Sequence, residues 1–544
     1  MDTSLSPIQS GQFGPAQARH LLLRAGFGCG PGRVSELAGM GLDGAVRSLI
    51  DAAEEPQPAT DPSIDPDVIR PPTPEEEATF IRARRDNDEA ARSEVRRIIN
   101  ERQAMDRRMI GDLRRWWLGL MIDTKAPLRE NLVLLWHSHF ASRHRNVRDT
   151  YLMYQQNRTF REHAAGSFAE LAKAVVHDPA MLKFLNNDQN NKRKPNENLA
   201  REFMELFTLG EGNYTEKDIK QGARALTGYG IDDNDFVFRE NRHDDAKKTV
   251  LGESGKLDGE GFVDVLLDQP ACPRYVALKL YRHFVADVSD YLDQVPAENR
   301  EVVLRMAVML RKNGYQVAPV LEALFKSRHF YDPAIVGRKI KSPAQLVAGT
   351  AVTLGTPTRS LGTLSDGMNI MGQSLFDPPS VAGWPGGRSW INTSTLFTRQ
   401  NICTYLITGK DPRKEKWSRD QLGYDPMPLI AGVGKDDTDA VVDHVVGFML
   451  GDHTPAPRRN RSIPSCVSET RASHATASSR CSPSSPRCRS ISYADPSRSP
   501  SCLISRPTRA GSSCARAWRW YRPSPPCRSS CRALRACWRN PPVR

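Results

Sequence analysis

Residues 195–210 read PNENLAREFMELFTLG, the pattern of one short helix with both ends marked. Asn196 is suited to cap the first turn, because its side-chain oxygen can accept a free backbone N–H. Gly210 is suited to end the helix, because glycine readily adopts the left-handed conformation found after many helices. Apolar side chains recur between the two ends at helical spacing and predict a buried face: Leu199, Phe203, Leu206 and Phe207.

The other face of this helix is polar. Glu197, Arg201 and Glu205 follow one another at four-residue spacing, which predicts a row of alternating charges. Asn198 and Glu202 form a second polar row beside it. This pattern is typical of a half-buried helix with satisfied ion pairs. It also suits a helix that offers acids, amides and one guanidinium to a cleft.

Length and composition limit the classes of protein to which the chain can belong. The chain has 544 residues, of which 39% are hydrophobic and 26% charged, as in globular proteins of one large domain or two to three smaller ones. It contains no apolar run of about 18 residues, so no transmembrane segment is expected. The N-terminal residues MDTSLSPIQSGQFG lack the basic and apolar regions of a secretory signal, which predicts a cytoplasmic location.

The net charge of +13 is carried by the C-terminal end. Residues 461–544 contain 16 Arg, no Lys, one Asp and one Glu, a net charge of +14, which leaves −1 for residues 1–460. A near-neutral body has no overall attraction for nucleic acid, so no nucleic-acid partner is expected. Three scattered cysteines in that body predict no disulfide framework: Cys29, Cys272 and Cys403.

A second segment concentrates histidine. Residues 128–149 read LRENLVLLWHSHFASRHRNVRD, in which an apolar run ends at Trp136 and is followed by His137 and His139. These two histidines are about 200° apart on a helix and do not share a face. No HExxH or CxxC pattern accompanies them, so the sequence identifies neither a metal nor a cofactor. They are either core imidazoles or candidate catalytic groups.

Three local signals complete the pattern. Thr215 and Asp218 form a capping box that starts the next helix. The alternation around residues 236–238 predicts a small β-hairpin. Residues 376–392, FDPPSVAGWPGGRSWIN, predict an ordered loop rich in Pro, Gly and Trp, which either lines a pocket or wraps the core.

Five motifs, taken together, carry a family resemblance. In chain order they are LLLRAGFG, LRENLVLLWHSHFA, NENLAREFMELFTLGEGNYTEKDIKQGARALTGY, ALKLYRHF and FDPPSVAGWPGGRSWIN. They resemble the bacterial family called domain of unknown function 1800 (DUF1800), over roughly residues 14–458. The resemblance implies a large, mainly α-helical protein with no established activity. It also implies a sulfatase-like protein as a partner, and export if the true start of the chain has been misassigned.

We therefore predict a mainly α fold, with one large multi-helix domain at residues 14–458 and a minor β-hairpin near residue 235. Residues 1–13 are predicted to be a flexible N-terminus. Residues 54–74, rich in Pro and Asp, are predicted to be an exposed segment. Five large side chains are predicted to be buried: Trp136, Phe203, Leu206, Phe207 and Trp384.

The last 86 residues, 459–544, change in character. Ser, Arg, Pro and Cys dominate, and eight cysteines are scattered without a regular pattern. Such a segment cannot bury enough apolar area to offset its ordering entropy, which predicts a disordered tail. A GC-rich gene read in the wrong frame gives this composition, so we hypothesise a frameshift near residue 460.

Two function hypotheses follow. The first is a non-catalytic binding or scaffold protein, in which a buried polar network fixes the helix packing. The second is a hydrolase-like enzyme, metal-dependent or not, in which residues 137–144 and 196–202 meet around one concavity. Its candidate catalytic residues are His137, His139, Glu197, Glu202 and Arg201. The candidate binding residues are Asn196, Asn198, Trp384, Arg388 and Asn392.

Overall fold

Helices build almost all of the chain that a computed structural model describes, which is residues 1–450 except 56–61, 87, 358, 412–422, 432 and 434–436. The prediction of a mainly α fold is confirmed. All described residues lie within one structural unit, Met1–Ser465. The predicted disordered tail, 459–544, lies outside the described residues, and so do residues 56–61 of the predicted exposed segment.

The described residues contain nineteen α-helices. Those before the first strand are α1 Pro15–Ala25, α2 Pro31–Glu54, α3 Pro74–Arg85, α4 Glu89–Ile122, α5 Pro127–His139, α6 His144–Val147, α7 Thr150–Glu162, α8 Phe168–Val176, α9 Pro179–Phe184, α10 Asn198–Glu202 and α11 Glu216–Ala225. Those after the last strand are α12 Gly259–Asp268, α13 Ala271–Phe284, α14 Ala297–Lys312, α15 Val317–Lys326, α16 Pro343–Leu354, α17 Leu361–Ile370, α18 Thr393–Thr408 and α19 Thr438–Leu450.

Two antiparallel hairpins lie between α11 and α12. Strand β1 (Tyr229–Asp232) pairs with β2 (Asp235–Phe238), so the predicted hairpin near residue 235 is confirmed. Its turn residues, Asp233 and Asn234, both have positive φ, as a two-residue type I′ turn requires. A second hairpin was not predicted, and it joins β3 (Lys248–Val250) to β4 (Glu253–Gly255).

Helix α5 lies at the centre of the core. Its residues from Leu128 to His137 are all buried, and it packs against α2, α4 and α7. Trp136, Phe203 and Phe207 are fully buried, and Trp384 is 8% exposed, as predicted. Leu206 is only partly buried, contrary to prediction, because its side chain faces a cavity.

The stretch that decides the fold starts later than predicted and contains a wider turn, and it ends at Gly210 as predicted. Helix α10 starts at Asn198, and Asn196 instead accepts the Asn198 N–H with its side-chain oxygen at 3.0 Å. A π-helix, Phe203–Thr208, continues α10. In it the Leu209 N–H donates to the Met204 carbonyl, five residues back, at 3.0 Å. Gly210 follows with φ of 80°, as predicted for a residue that ends a helix.

Residues 1–13 are attached to the body, although the sequence predicts a flexible segment. The Ile8 N–H donates to the Lys326 carbonyl at 3.0 Å, and the Arg328 N–H donates to the Ser6 carbonyl at 2.9 Å. Ile8 and Phe13 are buried in the core. Two apolar side chains in a polar segment thus anchor it.

Candidate functional site

A cavity of about 770 Å³ opens beside the C-terminal end of α5. Its wall is formed by Gln373 and by parts of six segments: 134–139, 205–213, 271–283, 287–293, 339–345 and 379–390. These segments come from distant parts of the sequence and meet only in the folded chain.

The 379–390 loop reaches this cavity because of one glycine. Gly383 has φ of 84°, and a Cβ built on it would lie 2.0 Å from the Ser138 carbonyl oxygen. The next residue, Trp384, donates its backbone N–H to Ser138 Oγ at 3.2 Å. Only glycine combines this conformation with so close an approach, so Gly383 brings the loop onto the end of α5 and places Trp384 on the cavity wall.

His139 lies at the end of α5 and is 6% exposed. Its Nε2 lies 2.9 Å from the Phe207 carbonyl oxygen, which can only accept, so Nε2 carries the proton. The other nitrogen, Nδ1, then has a free lone pair, and no described group donates to it. Burial, assisted by the positive charge of Lys279, lowers the pKa of His139 to about 3. The ring is therefore neutral at pH 7.

The indole of Trp384 is a second polar group without a partner. Its Nε1–H is buried and has no acceptor among the described residues. Two residues of the cavity wall therefore carry unpaired polar atoms, an acceptor on His139 and a donor on Trp384, and both atoms are closed off from solvent. A buried polar atom without a partner costs roughly 1–3 kcal/mol, so two on one cavity require an explanation.

Helix α13 forms another part of the cavity wall. The Tyr275 ring lies 6.2 Å from the His139 ring, centroid to centroid, and Lys279 Nζ lies 4.8 Å from the Tyr275 centroid. Lys279 Nζ also donates to Asp290 Oδ1 at 3.2 Å. Burial and the neighbouring Arg282 charge lower the pKa of Lys279 to about 7.

Lys339 reaches the same wall from the segment before α16. Its Nζ donates to Asp287 Oδ1 at 2.6 Å and to the Arg282 carbonyl at 2.5 Å. Burial and the positive charge of Arg24 lower the pKa of Lys339 to about 8. Two lysines on one cavity therefore lose part of their charge near neutral pH.

A buried amide network fixes the second imidazole of the wall. His283 Nε2 donates to Asn131 Oδ1 at 2.8 Å, because the Asn131 amide N–H groups are used by the backbone carbonyls of Arg24, Ala25 and Gly26. Burial, followed by the charges of Lys339 and Arg24, lowers the pKa of His283 to about 3. This imidazole is also neutral and has a defined tautomer.

Among the ten candidate residues, the cavity wall includes His139 and Trp384. His137 lies on the other side of α5, as the 200° separation predicts, and packs against the rings of Trp117, Phe160 and Phe376. Burial lowers its pKa to about 3 as well, with a smaller contribution from Arg161. His137 therefore occupies the position of a core imidazole.

The charged residues of α10 lie away from this cavity. Arg201 donates to Glu216 at 2.8 Å and to Glu197 at 3.3 Å, so it is drawn towards α11. Glu205, the third member of the predicted charge row, instead accepts the Tyr214 hydroxyl at 2.6 Å and lines the cavity. The cavity wall thus joins 138–139 to 205–213, and residues 196–202 are not part of it.

The remaining candidates have local roles. Glu202 is half-buried, and desolvation with the nearby Glu205 charge raises its pKa. Asn196 and Asn198 form the turn that starts α10. Asn392 caps α18 by accepting the Thr395 N–H at 2.9 Å, and Arg388 is exposed. Their predicted roles in catalysis or binding stay predictions.

Neither a metal site nor a membrane-spanning helix is found among the described residues. Among them, no three His, Cys, Asp or Glu side chains are arranged to hold a metal ion. No helix in the same part of the chain combines the length and apolar character of a membrane span.

Comparison with known proteins identifies the family. The sequence model for "Protein of unknown function (DUF1800)" matches residues 20–494, a range that includes all five motifs. It also continues past residue 460, where we place the frameshift, and that hypothesis stays a prediction. Searches of curated proteins and of solved structures found no match. Because the matched range covers most of its length, the chain belongs to the DUF1800 family.

Proposed function

We propose that this protein binds a small polar molecule in the cavity between α5, α13 and the 379–390 loop. The observation that supports this most directly is the set of cationic side chains on the cavity wall: Arg274, Lys279, Arg282 and Lys339. The cavity volume of about 770 Å³ lies within the range of roughly 300–1,000 Å³ that is typical of small-molecule sites.

The two imidazoles of the wall are suited to hydrogen bonding and not to proton transfer. A general base works best when its pKa lies near the working pH, and the pKa values of His139 and His283 are lowered to about 3. Both rings are held by a hydrogen bond on Nε2, which orients Nδ1 as an acceptor. A hydrolase-like enzyme stays the alternative, and it is distinguished by conversion of the bound compound.

Ligand-induced stabilisation tests this proposal. Melting temperatures would be measured with a panel of sugars, polyols, amino acids and small organic acids at millimolar concentration. The Ala382→Trp variant places an indole on an exposed lining position and is expected to block the cavity. The Ser389→Trp variant adds the same indole to the same loop, at an exposed position off the wall, and is its control.

We expect at least one class of compound to raise the melting temperature of the wild type and of Ser389→Trp, but not of Ala382→Trp. Equal stabilisation of all three proteins would place the binding site elsewhere. No stabilisation by any class would refute the proposal. Chromatography of the compound recovered after incubation distinguishes binding from hydrolysis. Binding leaves the compound unchanged, whereas hydrolysis cleaves it.

The family resemblance adds two proposals about cellular context. The first is a sulfatase-like partner protein, which co-purification from the native cell would test. The second is export, which cell fractionation would separate from a cytoplasmic location. A protein that co-purifies with no sulfatase-like chain and stays in the cytoplasm would contradict both.

A further inference from the structure

Positive charge is concentrated on the inner wall of the cavity. The side chains of Lys279, Arg282 and Lys339 line it and are only 20%, 24% and 11% exposed. Arg24 lies directly behind them, with its guanidinium donating to the carbonyls of residues 284 and 285. Four cations therefore share a small, poorly hydrated region.

Two carboxylates face these four cations. Asp287 accepts from Lys339, and Asp290 pairs with both Lys279 and Arg282. The Asp290 side chain is 53% exposed, so solvent weakens its effect on the wall. The inner wall therefore keeps an excess of positive charge. Burial is the main cause of the lowered pKa values of Lys279 and Lys339, and the neighbouring arginine charges add to it.

The other acids of the cavity lie towards its mouth. Glu211 and Asp293 are exposed, and Glu205 is half-buried. Glu205 accepts the Tyr214 hydroxyl, and Glu211 accepts the Tyr291 hydroxyl at 3.3 Å. These carboxylates do not pair with the inner cations.

Arg274 adds a further cation to the same face of α13. It is eight residues before Arg282, which places both on one side of the helix. Arg274 is exposed, lines the cavity and pairs with no described residue. An arginine with free donors on a cation-rich wall is well suited to bind a carboxylate or phosphate group.

We propose that the cavity binds a small organic oxyanion, a carboxylate or a phosphate. The cations of α13 donate their N–H groups to its oxygens. This inference rests on the proposed function and specifies its ligand.

Proton uptake on binding is a direct consequence. An oxyanion beside Lys279 stabilises the charged amine, so its pKa rises from about 7 and the amine takes up a proton. At pH 7 the expected uptake is a fraction of a proton for each ligand bound. The groups that face Lys279 are Tyr275 and Arg282 on its own helix, Asp290 and Tyr291 on the following loop, and His139 on α5.

Isothermal titration calorimetry with four probes at constant ionic strength tests the ligand class. Malate carries carboxylates and a hydroxyl, succinate lacks the hydroxyl, glycerol 3-phosphate replaces the carboxylate by phosphate, and glycerol carries no anion. We expect malate or glycerol 3-phosphate to bind, and the tighter of the two identifies the oxyanion. Succinate should bind about as tightly as malate if the carboxylate is the recognised group, because the cations of the wall contact the carboxylate and not the hydroxyl. Glycerol should not bind.

Titrations in two buffers of different ionisation enthalpy measure the proton uptake. Lys279→Met should weaken binding about tenfold and abolish the uptake. Lys279→Arg keeps the positive charge and should keep binding, while it also abolishes the uptake because arginine stays charged. Lys312→Met, an exposed lysine on α14 outside the cavity, should change neither quantity.

The outcomes separate this inference from the proposed function. If glycerol binds as tightly as the anionic probes, the ligand is neutral and only the oxyanion inference fails. If Lys279→Arg and the wild type take up the same number of protons, Lys279 does not sense the ligand and the inference also fails. If no probe binds and no compound of the stabilisation panel does, both proposals are refuted.

Discussion

Replacement of Gly383 by alanine tests how the cavity is built. The new Cβ would lie 2.0 Å from the Ser138 carbonyl oxygen, whereas carbon and oxygen rarely approach closer than about 3.3 Å. The loop must therefore retreat by about 1.3 Å from the end of α5. This retreat breaks the hydrogen bond between the Trp384 N–H and Ser138 Oγ.

Two terms set the expected loss of stability. A φ of 84° costs a non-glycine residue about 1–2 kcal/mol. The broken hydrogen bond and the displaced Trp384 add about 1–2 kcal/mol. We expect the free energy of unfolding of Gly383→Ala to fall by about 3 kcal/mol, measured by guanidinium chloride denaturation with far-ultraviolet circular dichroism.

Gly372→Ala is the matched control. Gly372 has φ of 93°, and a Cβ on it would meet only Trp390 Cζ3, at an ordinary 3.8 Å. This variant carries the conformational cost alone and should lose about 1.5 kcal/mol. If the two variants lose the same free energy within about 0.5 kcal/mol, the close approach of the loop to α5 contributes nothing and the reasoning is refuted.

Four further predictions concern the rest of the chain. Thr215→Ala removes the confirmed capping box of α11, so the free energy of unfolding should fall by about 1 kcal/mol in the same assay. Between pH 6.5 and 3 the histidines of the unfolded chain become protonated. In the folded protein His137 and His139 stay neutral over this range, because their pKa values are lowered to about 3. Stability should therefore fall as the pH decreases through this window, by up to about 1.4 kcal/mol per pH unit for each ring, and His137→Phe should flatten that slope. Arg201→Ala removes two ion pairs of a side chain that is 34% exposed. We therefore expect the free energy of unfolding to fall by less than about 1 kcal/mol and the ligand affinity to stay unchanged. A weakened ligand affinity would instead support the predicted role of Arg201 at the site. Resequencing of the gene should reveal a single-base insertion or deletion near codon 460, and an intact frame to codon 544 would overturn the frameshift hypothesis.

Local signals predicted local structure well. The capping box at Thr215 and the hairpin around residue 235 depend on side chains a few residues apart, and both are confirmed. The second hairpin was missed because its two-residue turn begins with Leu251 at a φ of 50°, a residue that gives no turn signal, so that Gly252 is left as the one indication of a turn.

The candidate site was predicted only in part. His139 and Trp384 stood out because a histidine after an apolar run and a tryptophan in a glycine-rich loop are uncommon. Lys279 and Lys339 did not stand out, because a lysine on a helix or before one usually points to solvent. They are buried because α13 packs against segments that lie more than 50 residues away in the sequence. The residue spacing within a single motif gives no information about such contacts.

The wide turn at Phe203–Thr208 gives this part of the chain a spare residue. Loss of one residue from a regular helix rotates everything beyond the deletion by about 100° and exchanges core and surface positions. Here the same loss can be absorbed when the wide turn contracts to an ordinary one, and Phe203 can keep its place in the core. The side chains from Glu205 to Gly210 would then turn away from the cavity. In this segment the requirements for folding the core and for forming the cavity are therefore different. A deletion mutant can fold and still lack a binding site.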